Sequence, residues 1–185
     1  MKIKHIGIMA LLSFSISSFV SPSEENKTIF EFNKKSNITS WKILNDDVMG
    51  GISTSTFKID SEGYGAFEGE VSTENNGGFA SVRYGCSVNV DKSKTIKIRL
   101  KGDGKDYQFR IKKKSSDFES YITSFRTSGS WETVEIKLKD LYPSFRGKKM
   151  DLPNFDGVKF EEMSFLIANK KSESFKLILD KIELE

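Results

Sequence analysis

Thr95-Ile96-Lys97-Ile98-Arg99-Leu100-Lys101-Gly102-Asp103-Gly104-Lys105-Asp106-Tyr107-Gln108-Phe109-Arg110-Ile111-Lys112 carries two strict alternations. Ile96, Ile98 and Leu100 are separated by Lys97, Arg99 and Lys101, and Tyr107, Phe109 and Ile111 by Gln108, Arg110 and Lys112. Successive side chains of a strand point to opposite faces, so each alternation predicts a half-buried β-strand. Between them, Gly102-Asp103-Gly104 predicts a tight hairpin turn, because glycine takes a positive φ at little cost.

The same period runs outward in both directions. Val134, Ile136 and Leu138 repeat it after a turn at Ser128-Gly129-Ser130, and Phe175, Leu177 and Leu179 repeat it near the end of the chain. Ile182 and Leu184 follow in the opposite phase, which predicts a bulge near Asp180. Phe57 with Ile59, and Ala80 with Val82 and Tyr84, supply shorter strands, giving roughly ten in all. The one helical candidate, Leu138 to Tyr142, is a turn at most. The fold class read from this pattern is all-β, an antiparallel β-sandwich. The chain has fifteen phenylalanines, all but Phe14 and Phe19 within residues 28–185, and these give such a sandwich a large apolar filling, since each aromatic buries roughly 150–250 Å².

The opening Met1-Lys2-Ile3-Lys4 is basic, and an uncharged apolar run follows from Ile6 to Val20. That layout predicts a secretory signal over residues 1–21, a short polar leader over 22–27 and one domain over 28–185. The run is shorter than the roughly 20 residues of a membrane-spanning helix, so no transmembrane span is expected after signal removal. A mitochondrial presequence is rich in arginine, whereas the first arginine of this chain is Arg83. Export to a periplasmic or extracellular location is therefore the expectation.

Signal removal takes away His5, the only histidine of the chain. Nucleophiles paired with imidazole and histidine-bearing zinc sites are then excluded. The one cysteine, Cys86, has no disulfide partner and alternates with Val88 and Val90, so it reads as a buried small hydrophobe. Without Lys2 and Lys4, 27 basic residues face 26 acidic ones, a net charge of +1 that gives a nucleic-acid partner no support.

Two segments depart from ordinary strand and turn. One is Trp41-Lys42-Ile43-Leu44-Asn45-Asp46-Asp47-Val48-Met49-Gly50-Gly51-Ile52-Ser53, and the other runs from Gly69 through Asn75-Asn76-Gly77-Gly78-Phe79-Ala80-Ser81-Val82-Arg83. Together they resemble the signature of the complex I intermediate-associated protein 30 family, with Trp131-Glu132-Thr133 and Tyr142-Pro143-Ser144-Phe145-Arg146-Gly147 in keeping downstream. The resemblance covers residues 28–185. It implies a jelly roll of the galactose-binding-like type, related in architecture to carbohydrate-binding modules. It also implies a non-catalytic role, since the mitochondrial members are assembly factors for respiratory complex I. A protein partner is the expected ligand, a respiratory or other envelope complex, with carbohydrate as the alternative.

The two Gly-Gly pairs, Gly50-Gly51 and Gly77-Gly78, predict tight corners with Met49 and Phe79 filling the core between them. The functional reading brings both segments to one end of the sandwich. The candidate binding residues are then Asn45, Asp46, Asp47, Met49, Gly50, Gly51, Ser53, Asn75, Asn76, Gly77, Gly78, Phe79, Ser81 and Arg83, with Arg83 expected to pair with Asp46 or Asp47. No catalytic residue, metal ligand or cofactor is assigned. Oxygens of Asp46, Asp47 and Asn75 suit calcium, but no spacing demands it. Of the aromatics available to stack on a sugar, Trp41, Trp131, Tyr64, Tyr107 and Tyr121, core packing is the expected role, and both tryptophans are expected to be buried.

Overall fold

The structure is a computed structural model that describes residues 27–90 and 95–185. The expected signal and the leader up to residue 26 lie outside the described residues. The described residues form thirteen strands: β1 (Lys27–Glu31), β2 (Trp41–Asn45), β3 (Thr54–Ile59), β4 (Gly65–Val71), β5 (Ala80–Asn89), β6 (Thr95–Lys101), β7 (Asp106–Lys112), β8 (Ser120–Arg126), β9 (Trp131–Lys137), β10 (Tyr142–Phe145), β11 (Lys148–Lys149), β12 (Lys159–Ile167) and β13 (Glu173–Leu184). Short 3-10 turns at Asp46–Met49, Glu74–Asn76 and Leu138–Asp140 complete the described elements, the last where the helical candidate was expected.

The strands build two antiparallel sheets, one ordered β3-β4-β13-β6-β9 with β1 also on β13, the other β11-β10-β8-β7-β12-β5-β2. β13 is the longest strand at 12 residues. It carries β4 along Glu173–Leu179 and β1 along Lys181–Leu184, while β6 pairs with Ile178–Leu184. The register against β6 shifts between Leu179 and Lys181. The bulge at Asp180 thus lets Phe175, Leu177 and Leu179 on one side, and Ile182 and Leu184 on the other, all reach the core.

The expected hairpin at Gly102-Asp103-Gly104 is corrected. β6 pairs with β13 and β9, whereas β7 pairs with β12 and β8, so the segment carries the chain from one sheet to the other. Asp103 makes the crossing: its carboxylate accepts hydrogen bonds from Lys105 Nζ (2.7 Å), Tyr107 Oη (3.0 Å) and the Lys176 backbone N–H (2.9 Å). Alternation reports that one face of a strand is buried; it does not say whether the next strand lies beside it or across the core.

Between the sheets, Trp41 is 5% exposed and meets aromatic rings from both. Its ring centroid lies 5.0 Å from Phe57, 5.4 Å from Phe32, 4.8 Å from Tyr84 and 6.5 Å from Phe165. The indole N–H is buried without a hydrogen-bond acceptor among the described residues. Trp131 departs from expectation. It pairs with Lys101 on the outer face of its sheet, half-buried against Tyr64 at 4.7 Å with the Arg99 guanidinium 5.4 Å from its ring.

Truncating Trp41 to Ala should therefore cost about 3–5 kcal/mol in urea unfolding, the range for large aromatics in cores. Trp41→Phe should cost well under half as much, because it keeps most of the ring and removes an unpaired donor. Trp131→Ala should also cost less than Trp41→Ala. Equal shifts of the denaturation midpoint for Trp41→Ala and Trp131→Ala would show that the inter-sheet aromatic cluster does not dominate the core.

Candidate functional site

β2 and β5 are adjacent, with Asn45 opposite Ala80, and this register brings the two unusual segments together at one end of the sandwich. After Asn45 the chain turns through Asp46–Met49 and crosses to β3; after Val71 it turns through Glu74–Asn76 and crosses back to β5. Asp46 is the shared partner of both crossings. Its side chain is fully buried. The carboxylate accepts from the Ser53 backbone N–H (3.0 Å) and the Ser53 hydroxyl on its own segment, and from the backbone N–H groups of Gly78 (2.6 Å) and Phe79 (3.1 Å) on the other. The Ser53 hydroxyl in turn accepts from the Ser72 N–H at 2.9 Å.

Burial alone would push the Asp46 carboxyl upward. The bonds from the Ser53 hydroxyl, Gly78, Phe79 and the Ser53 N–H outweigh it and hold the group below its ordinary value. The glycines follow from this packing. A Cβ on Gly51 would collide with the Asp46 side chain, and one on Gly77 would lie 2.6 Å from the Ser72 carbonyl oxygen and 2.8 Å from Asp46 Oδ2. Gly50 and Gly78 have φ of 88° and 134°, the region closed to most side chains. Asn75 and Asn76 are also left-handed, with φ of 53° and 61°, which asparagine tolerates best after glycine.

Other expected residues separate into three environments. Asn45 is buried and its Oδ1 accepts from the Ser55 hydroxyl at 2.7 Å; Ser81 is buried and donates to the Leu44 carbonyl. Asp47, Met49, Gly50, Asn75 and Asn76 are exposed at the tip, and Phe79 is half-buried. Met49, at 57% exposure, does not fill the core. Arg83 is placed elsewhere: it alternates with Val82 and Tyr84, so it projects from the outer face of the seven-stranded sheet and approaches Glu162 (3.9 Å) rather than Asp46 or Asp47. The expected arginine–aspartate pair is thus corrected, and backbone N–H groups take the place of the guanidinium.

Sequence reading missed Val48 and Ile52, 62% and 51% exposed beside Met49. Apolar residues in a patterned chain read as core, and only the turn geometry turns these outward. Below Ile52 lies a shallow depression lined by Thr54, Glu70, Glu74 and Ser172. Among the described residues no group of three or more His, Cys, Asp and Glu is arranged to hold a metal. Both Asp46 oxygens already accept hydrogen bonds. Cys86 is pushed up to about 12, first by burial and then by Glu162, so its thiol stays protonated. Of the aromatics considered for stacking, Trp41, Tyr107 and Tyr121 are core, and Tyr64 and Trp131 remain partly accessible.

Because the Asp46 carboxyl is held below its ordinary value of 3.8, its contribution to stability is present above that pH and is lost as pH falls through the folded value. Asp46→Asn should lower stability at pH 7 and flatten this part of the acid limb, as read by urea unfolding from pH 7 to pH 2. Asp46→Ala, which leaves buried donors unpaired, should cost about 3 kcal/mol or more. An unchanged acid limb in Asp46→Asn would remove the carboxylate from this role.

Known proteins resemble the chain in two ways. Among solved structures, the family 11 carbohydrate-binding module of the cellulosomal cellulase Lic26A-Cel5E of Clostridium thermocellum superposes with a TM-score of 0.64 at 19% identity, over 86% of this chain and 94% of that one. An exo-β-agarase superposes with a TM-score of 0.54 at 10% identity, over 85% of this chain and 25% of that one. These likenesses bear out the expected antiparallel β-sandwich. In sequence, the mitochondrial complex I intermediate-associated protein 30 of Drosophila melanogaster is 22% identical over 187 aligned positions, covering 87% of this chain. The chain spans 63% of that relative's length. The relative's mitochondrial location conflicts with export, and the expected periplasmic or extracellular location is corrected on that ground. The model of one family, complex I intermediate-associated protein 30, matches residues 30–179, and the chain belongs to that family.

Proposed function

We propose that the chain is a non-catalytic binding protein with a role in complex I assembly, and that it engages a protein partner through the end of the sandwich held by Asp46. The observation that carries this reading is the exposure of Val48, Met49 and Ile52, at 62%, 57% and 51%, on a corner whose backbone is fixed by buried hydrogen bonds. Grouped apolar side chains rimmed by polar ones are characteristic of interaction surfaces, and methionine is enriched there. The rim here is Asp47, Glu74, Asn75 and Asn76, all exposed. A fixed corner also loses little conformational freedom on association.

Carbohydrate is the second reading, favoured by the partly accessible Tyr64–Trp131 pair, whose rings lie 4.7 Å apart. Affinity capture from detergent-solubilised respiratory membranes separates the two. The wild-type chain should retain subunits of an assembling respiratory complex, and the combined variant Val48→Ser, Met49→Ser, Ile52→Ser should lose them with an unchanged melting temperature. Equal capture by that variant would overturn the assignment of this end. Glycan-array binding abolished by Trp131→Ala, with no protein captured, would establish the carbohydrate reading instead.

A further inference from the structure

Strand register sets one row of side chains across the outer face of the seven-stranded sheet: Lys42 on β2, Arg83 on β5, Ser164 on β12, Arg110 on β7, Ile122 on β8 and Tyr142 on β10. Their sequence neighbours Val82, Tyr84, Met163, Phe165, Phe109 and Ile111 pack into the core, which fixes the outward direction of the row. Three of its first four members are cations and none of the six is an acid. Neighbouring strands are about 4.8 Å apart, so Arg83 and Arg110 stand about 10 Å apart at Cα, with only the small Ser164 between them.

Glu162, two residues before Ser164 on the same face of β12, is the single carboxylate set against this pair among the described residues. Its Oε1 lies 3.9 Å from Arg83 Nη1, beyond hydrogen-bond length, and its side chain is 16% exposed. Arg110 is in a more demanding position. Among the described residues it makes no ion pair and no side-chain hydrogen bond, although a guanidinium carries five N–H donors. Burial and the nearby Arg83 charge both act against its cation, and Glu162 and Tyr142 only partly offset them. A shielded, like-charged arginine without a hydrogen-bonded counterion has a donor fork left to fill, and that fork matches a planar carboxylate.

We propose that Arg110 and Arg83 form a receptor for a carboxylate seated over Ser164, and that this carboxylate is an aspartate or glutamate side chain of the protein partner. The identity of the ligand as a protein rests on the reading that the chain binds proteins. An acidic sugar is the less favoured source, because Tyr142 is the one aromatic ring of the row and Lys149 Nζ already lies 5.4 Å from its centroid. Lys42, exposed at the open edge of the row, extends the same attraction toward a further acidic residue.

The probes are a glutamate-rich decapeptide, its glutamine counterpart and an oligogalacturonate, titrated into the protein at low salt with the arginine side-chain N–H resonances observed by NMR. The glutamate peptide should shift the Arg110 and Arg83 signals. The glutamine peptide, and the Arg110→Gln variant with the glutamate peptide, should each bind at least about tenfold more weakly, the loss expected for one charge-assisted contact. Arg126→Gln, whose wild-type arginine pairs with Asp106 at 3.4 Å, should leave binding unchanged. If Arg110→Gln fails to fold, the more exposed Arg83→Gln carries the same expectation. Equal binding of both peptides, full binding by the arginine variant, or binding of oligogalacturonate alone would each overturn the proposal. In membrane capture, retention of the partner by Arg110→Gln together with its loss from the Val48, Met49, Ile52 variant would overturn this receptor while leaving the protein-binding reading intact.

Discussion

One carboxylate holds the two sheet-to-sheet crossings on which the first half of the sandwich depends. The chain leaves the seven-stranded sheet after β2, returns to it at β5, and passes through β3 and β4 of the other sheet between. Asp46 sits at the start of the first crossing and accepts from the end of the second. Without such a partner, the backbone N–H groups of Gly78 and Phe79 would be part-buried and unpaired, which is costly. Asp103 plays the corresponding part where β6 gives way to β7, accepting from Tyr107 and from the β13 backbone at Lys176. Both carboxyls, Asp46 fully buried and Asp103 half-buried, are held low against the pull of desolvation by donors on separate segments.

This clamp and the aromatic core constrain the same strand from its two ends. β2 begins at Trp41, packed between the sheets, and ends at Asn45, whose amide oxygen receives the Ser55 hydroxyl just before the turn at Asp46. A slip of one residue would turn Trp41 to solvent and withdraw Asp46 from Gly78 and Phe79 together. The two features therefore specify a single register of β2 against β5, and with it the juxtaposition of the two glycine-rich corners.

Much of this was legible in the chain. Alternation in Ile96–Leu100, Tyr107–Ile111 and Phe175–Leu179 identified core faces correctly, and the phase change before Ile182 located the Asp180 bulge, because a side-chain period of two admits no other way to keep both halves inward. The shared Gly-Gly layout also points to the adjacency of the two segments, which holds from Asn45–Ser53 to Gly78 and Phe79 but not as far as Arg83. What failed was partner choice. Asp46 reads as the partner of an arginine but is served by the Ser53 hydroxyl and by backbone N–H groups, since a fully buried carboxylate between two tight corners meets the donors of those corners first. The Gly102–Gly104 turn reads as a hairpin, because in a sandwich the period within a strand carries no record of which sheet comes next. Met49 reads as core, although the turn beginning at Asp46 carries it, with Val48, out to the surface.

Arg83 shows how one such failure relocates function. Its neighbours Val82 and Tyr84 must face inward for β5 to close the core against Phe165 and Trp41, so the guanidinium between them can only stand on the outer face. That places it in the row with Ser164 and Arg110, away from the acidic tip it was expected to neutralise. The tip, freed of an arginine, keeps Asp47 exposed beside Val48 and Met49; the sheet face gains a second cation facing one carboxylate. Two surfaces of different chemistry thus follow from the packing of a single strand, an apolar corner with an acidic rim and a cationic row across the sheet. A partner that contacts both would have to present an apolar patch and an acidic one on separate parts of its surface, and the two contacts would reinforce each other only if the spacing between its patches matched that of the corner and the row.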